Sequence, residues 1–168
     1  MRRIIRTASL LVLLLLAGCA SLGGLGIQAP HFEAASEQDA ELRLLPPSVQ
    51  RPLGGASIRL YARVTNPNPI GITLSRLAGT LQLEGYDAAD ADFPLGLPLE
   101  AGEASVVPLD LSISFANLPG LADVVGTAVS SGEVGYALRG SASVDAGMLG
   151  QPTFGPMTLL QGSVQARR

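Results

Sequence analysis

The chain holds one cysteine, Cys19, and one histidine, His31. A nucleophilic serine or cysteine needs a base beside it, and a structural zinc ion needs a full set of sulfur and nitrogen ligands. One residue of each type cannot supply a Cys/His pair, a Ser/His/Asp site and a metal centre. His31 also falls in a stretch that reads as a tether. Asp87, Asp90 and Asp92, in the run YDAADAD, are the one carboxylate cluster. Calcium wants such oxygens, but the spacing lacks the glycine and the distal glutamate of a calcium-binding loop. The run therefore reads as a solvated loop. No glycine-rich phosphate loop precedes a helix. Catalytic residues, metal ligands and cofactor are all absent from the reading, and no small-molecule substrate is expected.

Cys19 has the clearest chemical fate. Met1-Arg2-Arg3-Ile4-Ile5-Arg6 is basic, residues 10–17 are apolar, and small residues follow at Gly18, Cys19 and Ala20. This is the layout of a secretory signal peptide, and it is shorter than the roughly 20 apolar residues that span a bilayer. The ending Leu16-Ala17-Gly18-Cys19 resembles the lipobox of bacterial lipoproteins and matches it at every position. The resemblance implies cleavage after residue 18 and acylation (palmitate among the chains) of Cys19, which would attach the chain to a membrane. More than one acyl chain makes such an attachment durable, at about 0.8 kcal/mol per buried methylene. Ala20 rather than aspartate follows the cysteine, which resembles the pattern sent to the outer membrane, facing the periplasm. Loss of residues 1–18 removes Arg2, Arg3 and Arg6 and leaves eight arginines against 14 acidic residues, a formal charge of −6. An acidic chain with no basic patch excludes nucleic acid as a partner.

Apolar residues make up 47% of the chain and charged ones 15%, which argues against disorder. With 20 Gly and 12 Pro among apolar runs, many short strands fit better than helices. Residues 20–40 have no alternation and read as a flexible tether reaching roughly 25 Å as a coil. Period-2 alternation begins after it. Ile58, Leu60, Ala62 and Val64 share one face against Arg59, Tyr61, Arg63 and Thr65. Leu81 and Leu83 oppose Thr80, Gln82 and Glu84. Val107, Leu109, Leu111, Ile113 and Phe115 form the strongest stripe. Val134, Tyr136, Leu138, Ala142 and Val144 form another. Weaker strands are expected near 41–45, 91–99 and 157–165. Residues 117–130 break the pattern, with Leu118, Leu121, Val125 and Val129 at helical spacing, Asn117 as N-cap, Pro119 in the first turn and Gly132 as the stop. These elements predict an all-β fold: an antiparallel, immunoglobulin- or fibronectin-III-like sandwich of about seven strands over residues 41–166, with one short crossing helix.

The long strand at 56–65 ends in Asn66-Pro67-Asn68-Pro69. Proline holds the residue before it extended and donates no N–H to a ladder, so the run reads as a rigid corner. After it come Leu81-Gln82-Leu83-Glu84-Gly85, Leu97-Pro98 with Glu103, the apolar strand, the helix, and Tyr136-Ala137-Leu138-Arg139-Gly140. In this order the motifs resemble the type 2 late embryogenesis abundant proteins, also called the WHy (water stress and hypersensitive response) domain. The resemblance covers about residues 41–165. It implies a compact sandwich, an association with desiccation and stress, and no catalytic residues. This chain has Glu84-Gly85 where the family has Asn-Gly; glutamate tolerates positive φ poorly, so another turn type is expected there. Two functions follow: a membrane-anchored, non-enzymatic protective or chaperone-like module, or an adaptor that docks an envelope partner by a sheet edge or face.

Overall fold

The computed structural model describes residues 26–117 and 119–167. The segment expected to be a signal peptide, residues 1–18, and the expected lipobox Leu16, Ala17, Gly18 and Cys19 lie outside them. Among the described residues eight strands form in chain order: β1 His31–Ala34, β2 Glu41–Leu45, β3 Gly55–Thr65, β4 Ile72–Leu83, β5 Tyr86–Leu99, β6 Ala104–Ser114, β7 Glu133–Asp145 and β8 Thr153–Arg167. An α-helix, α1, spans Pro119–Ser131.

The strands make one continuous hydrogen-bonded path. β6 pairs β3 along its whole length. The other edge of β3 is shared end to end, by β2 beside residues 55–59 and by β1 beside residues 62–65. β2 then runs parallel to β8, and β7, β4 and β5 follow antiparallel. The path folds into two layers because the long strands β3, β4, β6 and β7 each have one apolar face. Ile58, Leu60, Leu109 and Leu111 of one layer join Leu81, Leu138 and Leu160 of the other in a single core. Each such side chain, fully buried, contributes about 1.5–3 kcal/mol.

The alternation in β3, β6 and β7 is observed as expected: every residue of the three predicted stripes is buried. Two bulges add what alternation alone does not show. In β8, Leu159 and Leu160 are consecutive yet both buried, because the register with β7 slips between Leu138 and Arg139. In β5 a slip opposite Leu81 turns Ala88 inward and brings Asp87, Asp90 and Asp92 to one exposed face.

Three expectations are corrected. Residues 20–40 are not a tether throughout, because β1 lies inside them, paired to β3, with His31 exposed opposite Thr65. β1 also raises the strand number to eight. The aspartate run is strand rather than loop: β5 extends back to Tyr86. The Glu84-Gly85 turn has φ of 49° and 81°, the positive pair of a type I′ hairpin. Glu84 is held in that conformation by bonds to the start of β7: its N–H donates to the Gly135 carbonyl at 3.0 Å and its Oε1 accepts from the Gly135 N–H. Those bonds offset the poor fit of glutamate to positive φ.

In α1, Leu121 and Val125 are buried as the helical spacing requires, and Gly132 ends the helix at φ 93°. A 3-10 turn, Phe115–Asn117, precedes it. Leu118 and the side chains of Asn117, Pro119 and Val129 lie outside the described residues.

Candidate functional site

β3 delivers the chain into the Asn66-Pro67-Asn68-Pro69 run, and β4 leaves it at Ile72. Pro67 and Pro69 cannot extend the ladder, so the backbone groups around them need other partners. The two asparagines supply these. Asn66 and Asn68 are 0% and 2% exposed, the buried polar residues among those described. Asn66 Nδ2 donates to the carbonyls of Ile70 at 2.8 Å, Glu100 at 2.9 Å and Leu99 at 3.2 Å. Its Oδ1 accepts from the Asn68 N–H and from Asn68 Nδ2, both at 3.0 Å. The Asn66 N–H donates to the Glu103 carbonyl at 2.8 Å. One side chain thereby ties the end of β3, the start of β4 and the β5–β6 hairpin together. The first bond to Asn68 is an Asx turn.

Asn68 reaches the other way. Its Oδ1 accepts from the Gln28 N–H at 2.7 Å and its Nδ2 donates to the Gln28 carbonyl at 3.0 Å. A side-chain amide here does what a neighbouring strand does, pinning the incoming N-terminal segment to the corner. Sequence reasoning missed Gln28, since nothing local marks it.

The outward face of β3 bears Arg59, Tyr61 and Arg63. Arg59 Nε and Nη2 donate to the two Asp110 oxygens at 2.6 and 3.0 Å. Arg63 pairs with Glu37 and lies 3.7 Å from Glu33. On the other layer Arg76 clasps Asp92 with two bonds of 2.6 Å, and Gln82 donates to Asp87 at 2.8 Å. Arg59, Arg63 and Arg76 are thus each matched to a neighbouring carboxylate, as on a solvated face. Among the described residues no group of three or more His, Cys, Asp or Glu side chains is placed to hold a metal ion. No described helix is long and apolar enough to cross a membrane.

These ion pairs set an acid limit. The hydrogen bond from Arg76 lowers Asp92 below its ordinary carboxylate range, and that from Arg59 does the same for Asp110, against an opposing effect of burial. A carboxylate lowered in the folded state stabilises the fold above its unfolded pKa and loses that contribution as pH falls through the folded one. Urea midpoints are therefore expected to hold steady down to about pH 4 and to fall below it. The effect is small and screened by salt, because the pairs are exposed. In a Asp92→Asn/Asp110→Asn double variant the acid slope should flatten; an unchanged slope would assign it to other groups.

The family model for late embryogenesis abundant protein matches residues 61–158, from within β3 to within β8, with the asparagine corner inside the match. The chain belongs to the late embryogenesis abundant family. It is a stress-related protein of that type. Its fold is similar to the solution structure of an Arabidopsis thaliana protein, at 19% identity and a TM-score of 0.60, covering 85% of this chain and 86% of that one. A second solution structure, of a protein provisionally assigned to the late embryogenesis abundant proteins, aligns at 16% identity and a TM-score of 0.47, over 98% of this chain and 87% of that one. A crystal structure of a protein from Archaeoglobus fulgidus aligns at 14% identity and a TM-score of 0.43, over 78% and 98%. At these identities the likeness is one of fold alone. None of the curated proteins matches the sequence significantly.

Proposed function

We propose that this late embryogenesis abundant protein is a non-enzymatic lipoprotein. Cys19 is acylated after removal of residues 1–18, and the sandwich is displayed on the periplasmic side of the outer membrane, where it protects labile proteins during drying. The observation that carries the protective role is the family match across the sandwich. The run Leu16-Ala17-Gly18-Cys19 supports the anchor. Two experiments test the halves separately. Cells given radioactive palmitate should label the wild-type chain and leave Cys19→Ala unlabelled; label on the variant removes the anchor. The domain lacking Cys19 should preserve a labile enzyme through drying better than an unrelated sandwich of equal mass, and equal preservation removes the protective role.

A second reading, docking of an envelope partner, is favoured by the two ends of the strand path. Among the described residues β5 pairs only with β4, and β6 only with β3. Their outer edges flank a cleft of about 470 Å³ lined by Ala88, Ala89, Asp90, Ser112 and Ser114. Unpaired edges accept an added strand. Crosslinking in cells distinguishes the readings: one stoichiometric protein partner supports docking, and none removes it.

A further inference from the structure

The incoming chain fixes which end of the sandwich lies nearest Cys19. Asn68 holds Gln28 at the corner where β3 ends. Gln28 lies nine positions after Cys19, so the link cannot exceed roughly 30 Å even when fully extended. The opposite end of the sandwich carries the loop before β3. It lies a further 11 residues of β3 away, about 36 Å at the strand rise. A tether of that length keeps the corner end close to the anchor, and the far end can reach the same surface only if the sandwich lies flat.

Apolar side chains protrude at the corner end, as Val49 and Leu53 do in the loop at the far end, but only the corner end is held within the tether's reach of Cys19. Thr73, at the start of β4, pairs with Asp145, at the end of β7, so the loop after β7 stands beside the corner. That loop contains a 3-10 turn, Gly147–Leu149, closed by the Ala146 N–H donating to the Gly150 carbonyl at 2.9 Å and the Gly150 N–H donating to the Gly147 carbonyl at 3.1 Å. Asp145 braces it, accepting from the Gly147 N–H at 2.8 Å and from Gln151 Nε2 at 3.1 Å. The turn holds Met148 and Leu149 outward, 104% and 59% exposed, and Ile70, 37% exposed, lies in the corner loop at the same end. A rigid turn presenting two large apolar side chains to water costs hydrophobic free energy with nothing gained inside the fold.

We propose that this end, Met148 and Leu149 with Ile70, rests in the interface of the membrane to which Cys19 is tethered. The partner is a lipid surface rather than a protein. The inference rests on the anchoring reading above. Glu100 and Glu103 sit in the hairpin at the same end and are repelled by anionic headgroups, so the surface that fits is one of low charge. Apolar contact and tether act together: each apolar side chain adds little alone, but the anchor raises its effective concentration at the surface. The sandwich is then held upright, with the β5–β6 cleft standing away from the bilayer along its length.

The chain contains no tryptophan, so one placed by substitution reports its own surroundings. Met148→Trp tests the proposed contact. Val49→Trp, 94% exposed in the loop before β3, is the control at the far end. Both full-length acylated chains are reconstituted into vesicles of phosphatidylcholine and phosphatidylethanolamine. The expected result is a blue-shifted emission for Trp at 148, quenched by brominated acyl chains, with emission at 49 unshifted and unquenched. Adding anionic lipid should reduce the shift at 148, and so should Leu149→Asp in the same chain. Equal emission from the two positions overturns the proposal while leaving the anchor intact. A blue shift at 148 in detergent-free solution without vesicles overturns it in favour of a second copy covering the turn. A chain whose mass shows no acyl groups overturns the anchor and this proposal together.

Discussion

Asn66→Ala is expected to destabilise the domain by about 3–5 kcal/mol, lowering the melting temperature by roughly 10 °C or more. The change removes little volume. Its cost lies in the groups left behind. The Leu99 carbonyl, the Asn68 N–H and Asn68 Nδ2 lose a partner in a buried place, and the Ile70 and Glu100 carbonyls lose one in a partly buried place. An unsatisfied buried polar group costs about 1–3 kcal/mol. Against a typical stability of about 5–15 kcal/mol, this is a large share. Asn66→Asp separates the bonding from the packing. It keeps the acceptor facing Asn68 and turns the donor into an oxygen facing the three carbonyls, so it should be at least as harmful as alanine. Thermal and urea melts of both variants decide it. Melting curves that overlay the wild type would mean that the corner is held by proline and backbone alone.

The other large effect is expected at Gly140. β4 and β7 pair Gly79 directly with Gly140, and backbone comes unusually close there. A Cβ on Gly140 would stand 2.1 Å from the Ala78 carbonyl oxygen and 2.6 Å from the Gly79 Cα. A Cβ on Gly79 would stand 2.0 Å from the Arg139 carbonyl oxygen. Flexible side chains give way to such contacts, but these neighbours are backbone atoms inside the ladder joining the two central strands. Gly140→Ala should therefore cost about 3 kcal/mol, at the upper end of what overpacking does, and Gly79→Ala should match it. Alanine at Gly126, an exposed helical glycine with open space at its Cβ position, is the control and should be neutral or stabilising. Urea denaturation of the three variants checks the ordering. Equal stability of Gly140→Ala and wild type would show that β4 and β7 can separate locally at no cost.

Much of the fold was legible because alternation reports directly on a sheet with one dry face. The stripes in β3, β6 and β7 and the helical face of Leu121 and Val125 are local signals, and each was read in its place. β1 was not legible. HFEA carries no alternation, and its pairing depends on Asn68 drawing Gln28 to the corner from 40 residues away. The Glu84-Gly85 turn misled for a related reason. Local propensity disfavours glutamate at φ 49°, while the partner that holds it, Gly135, is 51 residues distant. The bulges at Ala88 and Leu159 were invisible too, since a slipped register is a property of two strands and not of one.

The candidate site divides along the same line. That the asparagine-proline run makes a corner followed from proline's missing N–H and fixed φ. Which strands the corner joins was decided only where Asn66 meets Ile70, Leu99 and Glu100. That the arginine stripe of β3 is a solvated face was decided by Asp110 and Glu37 arriving from other segments to match it.

The sequence alone determined the β class, the inward stripes, the family motif and the single cysteine. These depend on residue type and on spacing within a few residues, where backbone geometry is the same in any fold. The tertiary structure alone decided the eighth strand, the glycine contact between β4 and β7, the carboxylate partners of Arg59, Arg63 and Arg76, and the end of the sandwich at which Met148, Leu149 and the incoming chain meet. Each of these requires two segments far apart in sequence to share a position, and only burial of the common core brings them there.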